Sequence, residues 1–187
     1  MKKGLKLLIL SDLLILMGFG LISPILSIFV KDSLINGSAF AAGLAVTIFL
    51  ITKSILEIPF GKIEDKTSKK FFLIFGSYLI AIAPLGYFFM TKTIHLYIIQ
   101  VIYGIGAAMA FPSFTVLFYR YMDKGHEAFD SGVYGTIVGI GAGITAFVGG
   151  ALVEKFSFKT LFLATFIICV IGASILFLVD EKHLKKR

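Results

Sequence analysis

Six apolar stretches divide the sequence, at about residues 5–30, 39–60, 71–90, 94–119, 129–152 and 160–179. Each is long enough to cross a bilayer as a helix, which takes about 20 mostly apolar residues. The polar connections between them are short, and none has room for a soluble domain. Strands of a membrane β-barrel would be half as long and would alternate apolar with polar positions. In lipid each segment must satisfy its own backbone groups, so the pattern predicts an all-α membrane protein. The chain then reads as a single six-helix transmembrane domain over residues 1–187, ending in a basic tail at 180–187.

Composition points the same way: 58% of residues are hydrophobic and the mean hydropathy is +0.96. The net charge of +7 raises nucleic acid as a partner, but the placement of the charges argues for topology instead. With both termini in the cytoplasm, the inner face carries Lys2, Lys3, Lys6, Lys62, Lys66, Lys69, Lys70, Arg120, Lys124, Lys182, Lys185, Lys186 and Arg187. The outer face then carries only Lys31, Lys92, Lys155 and Lys159. An excess of Lys and Arg inside is the usual rule, so the expectation is a multi-pass protein of the cytoplasmic membrane with both termini cytoplasmic. Met1-Lys2-Lys3 before a leucine-rich run has the start of a signal peptide. That run continues to about Val30, too long for one, and is read as the first span.

Little in the sequence supports catalysis. Cys169 lies in an apolar run without an intrachain disulfide partner. His95, His126 and His183 share no metal-ligand spacing, and there is no Cys–His cluster. No glycine loop followed by Lys-Ser/Thr is present to hold a nucleotide phosphate. No nucleophile–base set stands out, so the expectation is a non-enzyme with no metal and no cofactor.

A repeat organises the chain further. Gly61, Asp65, Lys66, Ser68 and Lys70 match Gly150, Glu154, Lys155, Ser157 and Lys159 at a fixed offset. A fainter echo sets Gly18, Gly20 and Pro24 of span one against Gly104, Gly106 and Pro112 of span four. The first charged copy falls on the inner side and the second on the outer. Spans 1–3 (about 5–90) and 4–6 (about 94–179) therefore read as two inverted three-helix repeats, an arrangement common in secondary transporters.

These residues resemble the major facilitator superfamily. Its loop between helices 2 and 3 reads roughly G-x-x-x-D-R/K-x-G-x-R/K-R/K, which Gly61, Asp65, Lys66, Lys69 and Lys70 fit, with Ser68 at the second glycine. Gly18-Phe-Gly20-Leu-Ile-Ser-Pro24 is similar to helix 1 of the drug-antiporter branch. In span four Gln100 stands where the family's arginine precedes Gly104 and Gly106. In span five Gly132, Gly141, Gly149 and Gly150 fit the antiporter motif, while Thr145 and Ala146 replace its inner Gly-Pro. The family has twelve helices in two halves, so the resemblance implies half of that fold. It implies a parallel homodimer with a cavity on the two-fold axis, since closed C2 pairs are the commonest oligomer. A second half in trans, or a piece of a longer chain, would serve equally.

The resemblance implies transport of a small solute by alternating access, secondary active or facilitative. Within transport, proton-coupled drug or solute antiport stands beside sugar or other neutral-solute transport. A non-transporting accessory half-subunit is the alternative of another class. The candidate pathway residues are the charges inside spans, Asp12, Lys53 and Glu57, and the neutral polar groups Ser23, Ser27, Gln100 and Tyr103. A charge at mid-membrane costs about 2.5–3.5 kcal/mol even on a lenient scale. Three at similar depth predict mutual pairing, either as a substrate or proton site or as an ion pair joining spans one and two. Asp65 with Gly61, Lys66, Lys69 and Lys70 is expected to form a gating latch against the start of span five in the opposite half. The glycines of span five, including Gly132, Gly141, Gly149 and Gly150, are expected to form a close-packed rocking interface.

Overall fold

A computed structural model describes residues 2–180; most of the basic tail lies outside the described residues. The chain forms six helices: α1 (Lys3–Ser33), α2 (Ala39–Glu64), α3 (Lys69–Phe89), α4 (Thr93–Tyr121), α5 (Glu127–Lys155) and α6 (Phe158–Ile175). All six are long and apolar enough to cross a membrane, the last together with its closing 3₁₀ turn at Leu176–Leu178. Among the described residues there is no β-strand beyond one isolated bridge, Ile35 to Lys92.

Serine explains where three of these helices begin. The hydroxyls of Ser38, Ser68 and Ser157 accept the backbone N–H of Ala41, Phe71 and Thr160 at 3.0, 3.3 and 3.3 Å. Each satisfies one of the donors a helix start leaves unpaired, worth about 1 kcal/mol. Ser68 and Ser157 are matched positions of the repeated charged pattern. The pattern is thus a helix end, a tight turn and an N-cap, used once after α2 and once after α5.

Two helices act as struts. α1 packs along α5 and α6, and α4 packs along α2 and α3; α3 against α6 joins the two groups. This set of pairings maps onto itself when α1, α2, α3 are exchanged for α4, α5, α6. Glycines make the close approaches possible. A Cβ on Gly18 would sit 2.8 Å from Cys169 Sγ on α6, and one on Gly20 would run into Thr145 on α5. On the other strut a Cβ at Gly104 would sit 2.8 Å from Thr52 Cβ on α2, and one at Gly106 2.8 Å from Leu79 Cβ on α3. In both struts the two glycines serve one neighbouring helix each. Side chains reinforce the seams: Ser11 donates to the Gly172 carbonyl at 2.7 Å and Thr165 to the Gly18 carbonyl at 3.0 Å.

The end of the bundle that carries residues 2 and 180, here the near end, is tied together by polar contacts. Lys2 Nζ donates to the Met122 carbonyl at 3.0 Å and lies 3.3 Å from Asp123. The Tyr121 hydroxyl donates to the Asp180 carbonyl. At the far end the α1–α2 loop meets the α3–α4 loop through Ile35 N–H to the Thr91 carbonyl and Thr93 N–H to the Ile35 carbonyl, at 3.0 and 3.3 Å.

α2 and α5 are the least covered helices; only Ala41, Ala45 and Glu64 are buried on the first, and Asp130, Gly141, Thr145 and Gly149 on the second. The span-five glycines therefore divide. Gly141 and Gly149 face α1 of the same chain, the latter directly against the Leu21 carbonyl, while Gly132, Gly135, Gly139, Gly143 and Gly150 meet open space. Gly149→Ala is expected to force α5 off α1 and to cost about 1–3 kcal/mol. Gly139→Ala should change stability by about 0.5 kcal/mol at most in the isolated chain. Thermal unfolding of the two variants in detergent micelles checks the contrast.

Candidate functional site

Two cavities lie one above the other between the struts and α2. The far cavity, about 290 Å³, is walled by α1, α2, α3 and α4 and includes Ser23, Ser27, Tyr87 and Gln100. The near cavity, about 220 Å³, includes Asp12, Lys53, Ser77, Phe111 and Tyr134. Phe19, Phe49 and Tyr103 line both. Tyr103 on α4 is sandwiched between the other two rings. Its centroid is 4.7 Å from that of Phe19 on α1, with 7° between planes, and 4.3 Å from that of Phe49 on α2, at 21°. Such ring pairs contribute about 0.5–1.5 kcal/mol each beyond their buried area. The three rings come from three helices, so they form a septum that closes only while α1, α2 and α4 keep this spacing.

The septum sorts the expected pathway residues. Ser23, Ser27 and Gln100 fall in the far cavity, which has no charged lining residue. Asp12 and Lys53 fall in the near one, and Tyr103 belongs to both. Glu57 lines neither. The expected three-way pairing of Asp12, Lys53 and Glu57 is replaced by two separate pairs. Lys53 Nζ lies 3.3 Å from Glu57, one turn away on the same helix, and 4.2 Å from the centre of the Phe111 ring. Asp12 instead accepts a 2.6 Å hydrogen bond from the Tyr134 hydroxyl on α5. The physical reason is the strut arrangement: α1 runs along α5, whereas it touches α2 over only a short length. Tyr134 was not among the residues singled out from sequence. The signal for it was one hydroxyl-bearing aromatic in the glycine-rich run of span five, opposite an unpaired carboxylate.

The charged loop after α2 also differs from expectation. α2 continues to Glu64, which turns this carboxylate inward, where it is 2% exposed. Ser113 of α4 donates to Glu64 Oε2 at 2.7 Å. Lys69, 6% exposed, folds back to donate to the Glu64 backbone carbonyl at 3.0 Å and lies 3.9 Å from Asp65. Lys70 donates to the Phe177 carbonyl at 2.8 Å. Lys69 and Lys70 are thus engaged within the chain, which leaves Asp65 and Lys66 exposed to meet another partner. Gly61, with open space at its Cβ position, leaves the last turn of α2 bare on that side. At the start of α5, Asp130 is buried and accepts the Asp123 backbone N–H at 3.1 Å, so it is occupied in tying the α4–α5 loop to its own helix. No three His, Cys, Asp or Glu side chains gather as metal ligands among the described residues.

The Asp12–Tyr134 pair crosses between helices and is testable by itself. Tyr134→Phe leaves a half-buried carboxyl without its donor, at a cost of about 1 kcal/mol or more. In a double-mutant cycle with Asp12→Asn, the coupling is expected at about 0.5–3 kcal/mol, whereas independent residues would add. Thermal unfolding of the four proteins in one detergent reads this.

Comparison with known proteins agrees with this geometry. An MFS-type transporter of Methanocaldococcus jannaschii, MJ1560, is 25% identical over 144 residues, covering 77% of this chain and 37% of that protein. The quinolone resistance protein NorA of Staphylococcus aureus is 27% identical over 154 residues, covering 82% of this chain and 39% of that protein. The chain spans under two fifths of the length of these relatives. Residues 8–187, nearly the whole sequence, match the family model described as Major Facilitator Superfamily. Six apolar helices, two glycine-seamed struts and the G-x-x-x-D-K turn after the second helix fit that match, and the chain belongs to the major facilitator superfamily.

Proposed function

We propose that the chain carries a small solute across the cytoplasmic membrane by alternating access, with its near end in the cytoplasm and the Phe19–Tyr103–Phe49 septum between the two half-paths. The observation that carries this reading is the placement of two cavities on either side of a septum whose three rings belong to three different helices. A modest shift of α1, α2 and α4 opens it. The low cover on α2 and α5 supports a working unit of two six-helix halves. Gly132, Gly135, Gly139, Gly143 and Gly150 then face the other half, and small residues there permit the close approach that helix pairs in lipid need. A parallel pair of identical chains is the simplest such unit. Asp65 and Lys66, exposed at the end of α2 with Asp65 only 3.9 Å from Lys69 of its own chain, supply the latch between halves, near the positive end of a facing α5.

Asp12 is the proton-linked residue in this reading. It is the carboxylate in the near cavity, and its single described hydrogen-bond partner is a neutral hydroxyl rather than a cation. Lys53, paired with Glu57, lies on the wall of the same cavity. Antiport of a solute against protons follows if protonation of Asp12 alternates with solute occupancy. The resistance function in the name of the staphylococcal relative favours outward movement of drug-like solutes; the uncharged far cavity favours neutral ones.

Purified protein in proteoliposomes, loaded with a solute panel and given an imposed pH gradient, tests the proposal. A gradient-stimulated flux of at least one solute is expected, and Asp12→Asn should abolish the stimulation while leaving passive exchange. Absence of flux for every solute at every gradient would leave the accessory-subunit reading. Assembly has its own readout: Gly139→Leu should reduce the cross-linked dimer without lowering the unfolding temperature of the isolated chain. An undiminished dimer would place the interface elsewhere.

A further inference from the structure

The far cavity has a feature that transport as such does not require. Gln100 of α4 is 4% exposed, and its carbonyl Oε1 is fully buried with no hydrogen-bond partner. It stands in the cavity wall beside Tyr87, whose hydroxyl accepts a hydrogen bond from the amide N–H side of Gln100, which leaves Oε1 as the unmet atom. Leaving an acceptor like this unmet when buried costs about 1–3 kcal/mol, so the group is set to take a donor from whatever enters. The remaining wall is mostly aliphatic and aromatic, with Ser23 and Ser27 as the other polar side chains besides Tyr87 and Tyr103. No carboxylate is among the lining residues, and a cation brought here would lose its hydration with no counter-charge to replace it. A more open groove between α1 and α2, lined by Ser27, Ala42 and Gly43, runs on from the cavity and provides its entrance.

We infer that the far cavity is a binding site for a neutral, largely apolar ring compound bearing one N–H or O–H donor, and that Gln100 Oε1 is the atom that selects for it. The inference deepens the transport reading by naming its solute class, and it sets Gln100 as a specificity-determining residue. A hydrogen-bonding site discriminates against an analogue lacking the donor much more sharply than an apolar pocket discriminates by size. The septum forms the floor. Both faces of Tyr103 are already covered by Phe19 and Phe49, so the ligand meets ring edges there and packs against the aliphatic walls.

The chain contains no Trp, so an indole ligand can be followed by its own fluorescence. The experiment uses the full chain in nanodiscs, with empty nanodiscs subtracting the partition into lipid. Three probes are compared: indole, 1-methylindole without the donor, and cationic tryptamine. Indole is expected to bind about tenfold or more tightly than either analogue. Gln100→Met keeps the volume but removes the acceptor, and should bring indole and 1-methylindole to equal affinity. Gln100→Glu supplies a carboxylate and should reverse the order, so that tryptamine binds better than indole, a gain that misfolding cannot produce. The inference is overturned if 1-methylindole binds the wild-type chain as well as indole does, which would make a bound water the partner of Oε1. It is overturned equally if the Gln100→Glu chain keeps its wild-type preference. Binding and flux fail separately: solute flux with no preference for indole removes the Gln100 assignment alone, and selective binding without any flux removes transport alone.

Discussion

Helices in lipid gain little from burying apolar surface against one another, because the surrounding chains are as apolar as leucine. Close backbone approach therefore has to hold the bundle, and here it depends on glycine at the two struts. Gly18 and Gly20 on α1, and Gly104 and Gly106 on α4, each let a neighbouring helix in to distances that any side chain would forbid. The rest of the architecture follows from these seams. Because α1 lies along α5 and α6 while α4 lies along α2 and α3, space is left between α1, α2 and α4. That space holds the cavities. The septum rings sit next to the strut glycines in sequence, Phe19 between Gly18 and Gly20 and Tyr103 just before Gly104. The packing that fixes the fold also fixes the rings.

Charge in the membrane is the second constraint, and the chain meets it in two ways. Lys53 is paired one turn away on its own helix and rests over Phe111, so its cost is settled locally. Asp12 and Glu64 reach across to hydroxyls on other helices, Tyr134 and Ser113. A hydroxyl stabilises a carboxylate less than a cation does and also tolerates its protonated form. In the proton-linked reading proposed for Asp12, such a partner suits a group that changes charge, whereas a cation would lock it.

Much of this was legible in the residues. The six spans, the all-helical class and the family followed from the length of the apolar runs and from Gly61, Asp65, Lys66, Lys69 and Lys70. The meaning of the repeat was only half legible. Ser68 and Ser157 matched as letters, but their shared role as N-caps is a fact of backbone geometry. Side-chain partners were the least legible. Periodicity places Lys53 and Glu57 on one helix face, and that pair forms. Asp12 was assigned by depth to the same group, yet depth does not say which helix lies alongside, and α5 supplied Tyr134 from far along the chain. Glu64 went unnamed because a polar run hides where a helix ends. The span-five glycines could be counted but not sorted, since Gly141 and Gly149 differ from Gly132 and Gly139 only by the direction they face.

If the septum separates two half-paths that open in turn, the two cavities are reachable from opposite sides of the membrane. Thiol accessibility measures this most directly. In a Cys169→Ser background, a single cysteine at Ser27 reports on the far cavity and one at Ser77 on the near cavity. Membrane-impermeant maleimide is applied to oriented vesicles from one side at a time, with and without a pH gradient. Each site is expected to react from one side only, and the gradient to raise one reactivity as it lowers the other. Simultaneous reactivity of each site from both sides, or reactivities that rise and fall together, would contradict it.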